Sequence, residues 1–237
     1  MAMTDLSGNP YAVLWSGGKD SCLALWRARQ TGLPVRGLVN FYDETSGRVR
    51  FHGVRATLVA EQERALGVEL FQYPTKPESF ANSFASALHD LKARKYAGII
   101  AGDIHLEDVR RWNEEQASNA GLQLVEPLWH CDGANLLEEF VGAGFRALLT
   151  CSGEQWPAVL WPGREIDLKF IADVAPIADL DACGERGEYH SFVCDGPLFS
   201  YPVVCVPGEI RRSNGFSQID LVHKTNAYET SLSHPLR

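Results

Sequence analysis

The sequence predicts an α/β protein: a parallel sheet with helices on both faces, followed by a smaller C-terminal α+β region. Three observations carry the prediction. Short, continuous apolar runs alternate with amphipathic stretches over residues 11–150. The first run breaks at a glycine pair that opens a helix, and after residue 150 the alternation gives way to irregular sequence and strand-like runs.

The elements follow in order. The apolar run 11–15 reads as a buried strand ended by Ser16-Gly17-Gly18. Cys22, Leu25 and Trp26 then share one helical face, Arg27 and Arg29 suit the C-terminal half, and Gly32 closes the helix. A second strand covers 35–42 and runs through a turn-rich stretch to Phe51. Helix 54–66 stops at Gly67, strand 68–73 precedes helix 78–95, and strand 96–101 ends in Gly102-Asp103. A charged helix ends at Gly121, a fifth strand covers 122–125, and helix 135–141 leads to a sixth at 145–150. Continuous rather than alternating apolar strands imply a sheet covered on both faces. Beyond it, 189–194, 201–206 and 218–223 read as strands. The expected organisation is a flexible tail over 1–10, a parallel α/β domain over 11–150 and a smaller domain over 151–237.

Composition excludes several classes. The 237 residues suffice for one sizeable α/β domain with an appendage, not for two full enzymes. There is no apolar run of membrane-spanning length, and residues 1–10 lack an h-region, so a cytoplasmic protein without membrane contact is expected. Six dispersed cysteines without a C-x-x-C pair read as reduced thiols. A net charge of −8 argues against a nucleic-acid partner.

The chemistry concentrates first at Ser16-Gly17-Gly18-Lys19-Asp20-Ser21. A Gly-Gly turn between a buried strand and a helix aims backbone N–H groups at the positive end of the helix dipole, where phosphate oxygens bind. Ser16 and Ser21 add hydroxyl donors, Lys19 adds a positive charge, and Asp20 caps the helix or holds a magnesium ion. The turn is neither a Walker A loop nor a dinucleotide fingerprint. It resembles the S-G-G-x-D-S signature of the PP-loop ATP pyrophosphatases, which cleave ATP between the α and β phosphates and adenylate an acceptor.

A second motif narrows the resemblance. Cys183 to Val193, reading C-G-E-R-G-E-Y-H-S-F-V, followed by D-G-P-L-F at 195–199, is similar to the G-E-x-G-E-[FY]-x-[ST]-F-V…D-x-P-x-F signature of the diphthine ammonia ligase family. The resemblance spans 11–206 and points to a bacterial-looking branch. It implies a HUP (adenine-nucleotide α-hydrolase-like) N-terminal domain with ATP and Mg2+, and a C-terminal domain that binds the acceptor. Other members resemble G-A-I-x-S-x-Y-Q-x-x-R-V-E after the fourth strand. Here Asp103 replaces the alanine, Leu106-Glu107-Asp108-Val109 replaces the Ser-x-Tyr-Gln segment, and Trp112 stands at the arginine. These departures leave the acceptor open.

Asp103 at the carboxyl end of a strand, with Gly102, suits nucleotide or magnesium binding, or a helix N-cap. His52 and Arg55 open the next helix, either within reach of phosphates or as solvated first-turn residues. Gly184 and Gly187 bracket Glu185 and Glu188, and with Tyr189 and His190 they form the expected acceptor loop, a surface turn being the alternative. Lys19, Asp20 and Glu188 are the expected catalytic groups, and Asp20 and Asp103 the expected magnesium ligands. The expected reaction adenylates a carboxylate of a small molecule or protein side chain, releases pyrophosphate, and forms an amide with ammonia. Ammonia is free or comes from a partner, since no glutaminase domain fits, and a homodimer is an expected assembly. The alternatives are a tRNA-modifying PP-loop enzyme and a nucleotide sensor without turnover.

Overall fold

The computed structural model describes residues 8–224. Most of the expected tail, 1–7, lies outside the described residues; Pro10 is already tied to the sheet by a bond from Ala97 N, 2.7 Å.

The first body is the expected parallel sheet. Its elements are β1 (Tyr11–Leu14), α1 (Lys19–Gln30), β2 (Val35–Asp43), β3 (Arg48–Val49), α2 (Ala56–Leu66), β4 (Glu69–Thr75), α3 (Phe80–Ala93), β5 (Gly98–Ile100), α4 (Glu107–Asn119) and β6 (Gln123–Val125). Parallel strands lie in the order β4, β2, β1, β5, β6, while β3 pairs antiparallel with Tyr42 and Asp43 beyond the end of β1. Strand order therefore reverses between β1 and β5, and the crevice outside their carboxyl ends is where such sheets bind ligands.

Successive side chains explain the apolar runs. Val13, Leu38 and Ile100 enter one core while their neighbours Ala12, Val39 and Ile99 enter a second on the opposite face. Each strand is thus buried on both sides. Helix α1 places Cys22, Leu25 and Ala28 in the first core, with complete burial of Leu25 contributing about 2 kcal/mol. Helix α2 ends where Gly67 adopts φ 62°, a left-handed cap suited to glycine.

The second body contains α5 (Gly133–Gly142), β7 (Arg146–Gly153), α6 (Leu168–Val174), β8 (Tyr189–Asp195), β9 (Cys205–Ser213) and β10 (Phe216–His223). Its antiparallel sheet has the order β8, β7, β10, β9. Two expectations change here. The run expected as a sixth parallel strand, 145–150, is β7, an internal strand of this second sheet. Its continuous apolar sequence has the ordinary cause, burial on both faces, but in a different sheet. The run 201–206 forms a strand only from Cys205 onward, Pro202 having no N–H to give a ladder. Asp132 and Asp167 cap α5 and α6, accepting from Asn135 N at 2.9 Å and Phe170 N at 2.7 Å. All six cysteines are free thiols, and no helix among the described residues is long and apolar enough to cross a membrane.

The two sheets share one core. Val13, Trp15 and Leu25 pack in the same cluster as Phe145, Phe170, Phe192 and Leu221. This brings the start of β8 against the turn after β1.

Candidate functional site

The turn Ser16 to Ser21 stands at the strand-order reversal, as its position after β1 requires. Gly18 is the N-cap of α1 and no side chain caps the helix, so first-turn N–H groups lack intrahelical partners. Lys19 N is taken by Ser191 Oγ at 3.1 Å. Ser21 Oγ donates to Gly18 O at 3.0 Å and meets Ser16 Oγ at 3.3 Å, so the two hydroxyls sit side by side. Asp20 is not a cap; it pairs with the Lys19 ammonium at 2.9 Å.

Lys19 is 3% exposed and its Nζ also donates to Cys183 O, 4.9 Å from the centre of the Tyr189 ring. Burial alone would lower its pKa. The Asp20 carboxylate, Tyr189 and Cys183 together outweigh that and the net shift is upward, so the ammonium stays charged. Sequence distance hid this contact between the turn and the second motif.

The glycines serve packing as well as approach. A Cβ on Gly18 would lie 2.6 Å from His52 Cε1 and 3.1 Å from Ser191 O, and one on Gly17 would lie 2.9 Å from Gln62 Oε1. Strand β8 and two side chains close directly on the turn. His52 Nδ1 lies 2.9 Å from the Ser191 carbonyl oxygen, which only accepts, so Nδ1 carries the hydrogen. The His190 ring is 4.7 Å from it. Burial lowers the pKa of both imidazoles, that of His190 further because His52 and Lys19 stand beside it.

Two adjoining cavities open here. The smaller, about 250 Å³, is lined by Ser16, Lys19, Asp20 and Ser21 of the turn but not by Gly17 or Gly18, by Gly102 and Asp103 after β5, and by Gly184, Glu185, Tyr189 and His190. The larger, about 750 Å³, is mainly apolar, with Val39, Phe41, Phe80, Phe84 and Trp112 among its walls. They share Leu14, Ser16, His52, Asp103 and Asn113. Asp103 is not a helix cap: Asn113 Nδ2 donates to its Oδ2 at 2.8 Å. Burial and the neighbouring Glu185 raise its pKa to about 6, against the Asn113 bond.

The remaining motif residues divide. Glu185 lines the smaller cavity but spends its carboxylate on Ile104 N at 2.6 Å and His105 N at 2.9 Å, fastening the loop after β5 to the motif loop. Gly184, at φ 70°, crowds the Tyr189 ring, which a Cβ would meet at 2.8 Å. Glu188, expected in catalysis, does not reach either cavity: it is 3% exposed and accepts from Asp181 N at 3.1 Å inside its own loop. Gly187 lies outside the lining as well. Arg55 is also drawn away, its guanidinium bonded to Asp220 of β10 at 3.1 and 2.6 Å. A carboxylate 165 residues distant along the chain takes it, and no local pattern announces that.

Asn113, Ser191, Gln62 and Asn40 were not singled out from sequence. For two of them a signal existed. Gln62 interrupts the apolar face of α2 between Leu58 and Leu66, and Asn113 lies one turn before buried Ala117. A polar residue at an apolar-face position has a partner inside. Asn40, fully buried, donates to Trp15 O at 2.8 Å and so fixes the strand end beneath the larger cavity.

The donor set fits a nucleotide triphosphate: uncapped first-turn N–H groups, two hydroxyls and a buried ammonium beside a roomy apolar cavity. Among the described residues no three acidic, histidine or cysteine side chains form a ready metal group. Asp20 and Asp103 both line the smaller cavity and are the residues that could hold a magnesium ion, with oxygens of its ligand completing the set.

Sequence comparisons agree with this two-part construction. The profile described as diphthamide synthase N-terminal domain matches residues 10–124, and that described as diphthamide synthase C-terminal domain matches 132–224. The diphthine–ammonia ligase of Danio rerio is 25% identical over 248 residues, covering 91% of this chain and 94% of the relative. The Bos taurus protein of that name is 23% identical, covering 84% of each chain. The Schizosaccharomyces pombe one is 25% identical over 83% of this chain but 36% of its own length.

Proposed function

The chain belongs to the diphthamide synthase family, and from that premise we propose that it is an ATP-dependent ligase joining ammonia to an acceptor carboxylate. The single observation that carries the reading is the meeting of the two motifs: Lys19 of the turn touches Cys183, Ser191 and Tyr189 of the second motif, and Lys19, Ser191 and Tyr189 line the smaller cavity together.

Each part has a task. Adenosine occupies the larger cavity against Phe84 and Trp112, and the phosphates lie over the first turn of α1. The acceptor enters beside Gly184, Tyr189 and His190. A carboxylate cannot lose oxide to ammonia, so its oxygen first attacks the α-phosphorus and pyrophosphate departs. Ammonia then attacks the carbonyl carbon of the resulting mixed anhydride, AMP leaves with the C–O electron pair, and the added nitrogen loses a proton.

The protein contributes orientation and charge. The Lys19 ammonium and the first-turn N–H groups offset negative charge on the reacting phosphates. Asp20 and Asp103 would hold a Mg2+ ion, which would supply the same kind of charge stabilisation. Neutral His52 and His190 provide basic nitrogens where that proton is released.

The test is incorporation of nitrogen from 15N-ammonium into acceptors of a cell extract supplied with ATP and the purified protein, read by mass spectrometry. A wild-type product absent with Lys19→Met supports the reading. Incorporation that survives Lys19→Met, or none with the wild type in any extract, argues against it.

A further inference from the structure

The geometry points to Gln62 as a positioning residue that sets the direction of the Gly17–Gly18 peptide and hence aims a phosphate-binding N–H. Gln62 is fully buried in α2, with both amide hydrogens donated and its oxygen accepting one bond. Its Nε2 donates to Gly17 O at 3.0 Å and to Val193 O at 2.7 Å, while Oε1 accepts from Trp15 Nε1 at 2.8 Å. Three segments therefore converge on one amide: the end of β1, the turn, and strand β8.

The consequence lies in the peptide plane. In a trans peptide the carbonyl and the following N–H point in opposite directions, and no described bond is cis. Gly17 O is pulled inward by Gln62 and by Val193 N at 2.9 Å. Gly18 N–H must then point the opposite way, and it does, donating to Ser16 Oγ at 3.2 Å; Gly18 itself lines neither cavity, but Ser16, which it holds, lines both, so a phosphate would take this N–H only in exchange for Ser16 Oγ. A peptide between two glycines has little side-chain resistance to rotating. Gly17 stands at φ 83° and leaves no room for a Cβ against the Gln62 amide, so residue 17 and residue 62 are fitted to one another. The same amide ties Val193, and with it the acceptor motif, to the turn.

Gln62 touches no reacting atom in this arrangement; it acts through the backbone of the turn. The inference rests on the proposed ATP reading, and the test separates the two. Binding of α,β-methylene-ATP and of adenosine is measured by calorimetry for wild type, Gln62→Met, Gln62→Asn and Leu66→Ala, together with each melting temperature. Methionine keeps the length and removes the donors; asparagine keeps the amide and cannot reach. Gln62→Met is expected to lose on the order of ten-fold in affinity for the analogue, the worth of one buried hydrogen bond, with adenosine affinity unchanged. Leu66→Ala, a core truncation in the same helix, is expected to lower the melting temperature and leave both affinities unchanged. Gln62→Asn is expected to follow Gln62→Met, and it decides the matter should Gln62→Met fail to fold.

A Gln62 variant that binds the analogue as wild type does, or that loses analogue and adenosine alike, overturns the inference and leaves the ATP reading standing. A wild type that binds the analogue no better than adenosine overturns the ATP reading, and this inference with it.

Discussion

Arg55 grips Asp220 with two bonds, Nε to Oδ1 at 3.1 Å and Nη2 to Oδ2 at 2.6 Å, and Arg48 adds a third contact at 2.9 Å. This joins the helix after the second parallel strand to β10 of the other sheet. Burial pushes the Asp220 carboxyl up, but bonds from Arg55 and Arg48 outweigh it and bring the pKa to about 2. Because the folded value lies below the unfolded one, the contribution is full above 3.8 and lost as pH falls through about 2. Asp220→Asn is expected to cost about 2 kcal/mol near neutral pH, roughly 4–8 °C in melting temperature. Calorimetry from pH 7 to pH 2 should show the gap from wild type closing across that acid window.

Asp103 has the opposite sign. Its carboxyl, raised to about 6 by burial and then by Glu185, contributes stability in its protonated form that is lost as pH rises through about 6. Asp103→Asn is therefore expected to stabilise the protein by about 1–3 kcal/mol at pH 7.5, with the gain gone near pH 4. The same variant should bind Mg–ATP more weakly at pH 7.5. Paired thermal and titration measurements check both halves.

Glu185 fixes a loop. Its carboxylate receives Ile104 N and His105 N and contacts the His105 ring at 2.6 Å. With Glu185→Ala those N–H groups lose their acceptor, and hydrogen exchange at 104 and 105 is expected to accelerate by a factor on the order of ten or more. Exchange mass spectrometry on the whole chain reads this directly, with peptides from α3 unchanged.

Trp112 packs against Phe84 at 4.6 Å between ring centres and forms part of the larger cavity wall. Trp112→Ala is expected to weaken adenosine binding on the order of ten-fold, through lost apolar contact. Inhibition of nucleotide binding by inorganic pyrophosphate should be unaffected.

The place of the turn after β1 was legible because local rules govern it. A glycine pair after a buried strand and before Lys19 and Asp20 needs no distant information to read as an anion site. The parallel strands were legible because burial on both faces leaves an unbroken apolar run. That signal also misassigned β7, since an internal strand of any covered sheet has the same texture. Glu188 and Arg55 were misplaced for one shared reason: each is claimed by a partner that only the tertiary fold supplies, Asp181 N for the first and Asp220 for the second. Gln62 shows the converse, a polar residue whose importance depends on three segments that meet only after folding.

In the proposed reaction the turn Ser16 to Ser21 directs cleavage of ATP between its α and β phosphates. Phosphorus NMR of a reaction containing the protein, ATP, Mg2+, ammonium and an acceptor extract tests it most directly. AMP and pyrophosphate in equal amounts, both absent with Lys19→Met, are the expected products. ADP and orthophosphate would contradict the account.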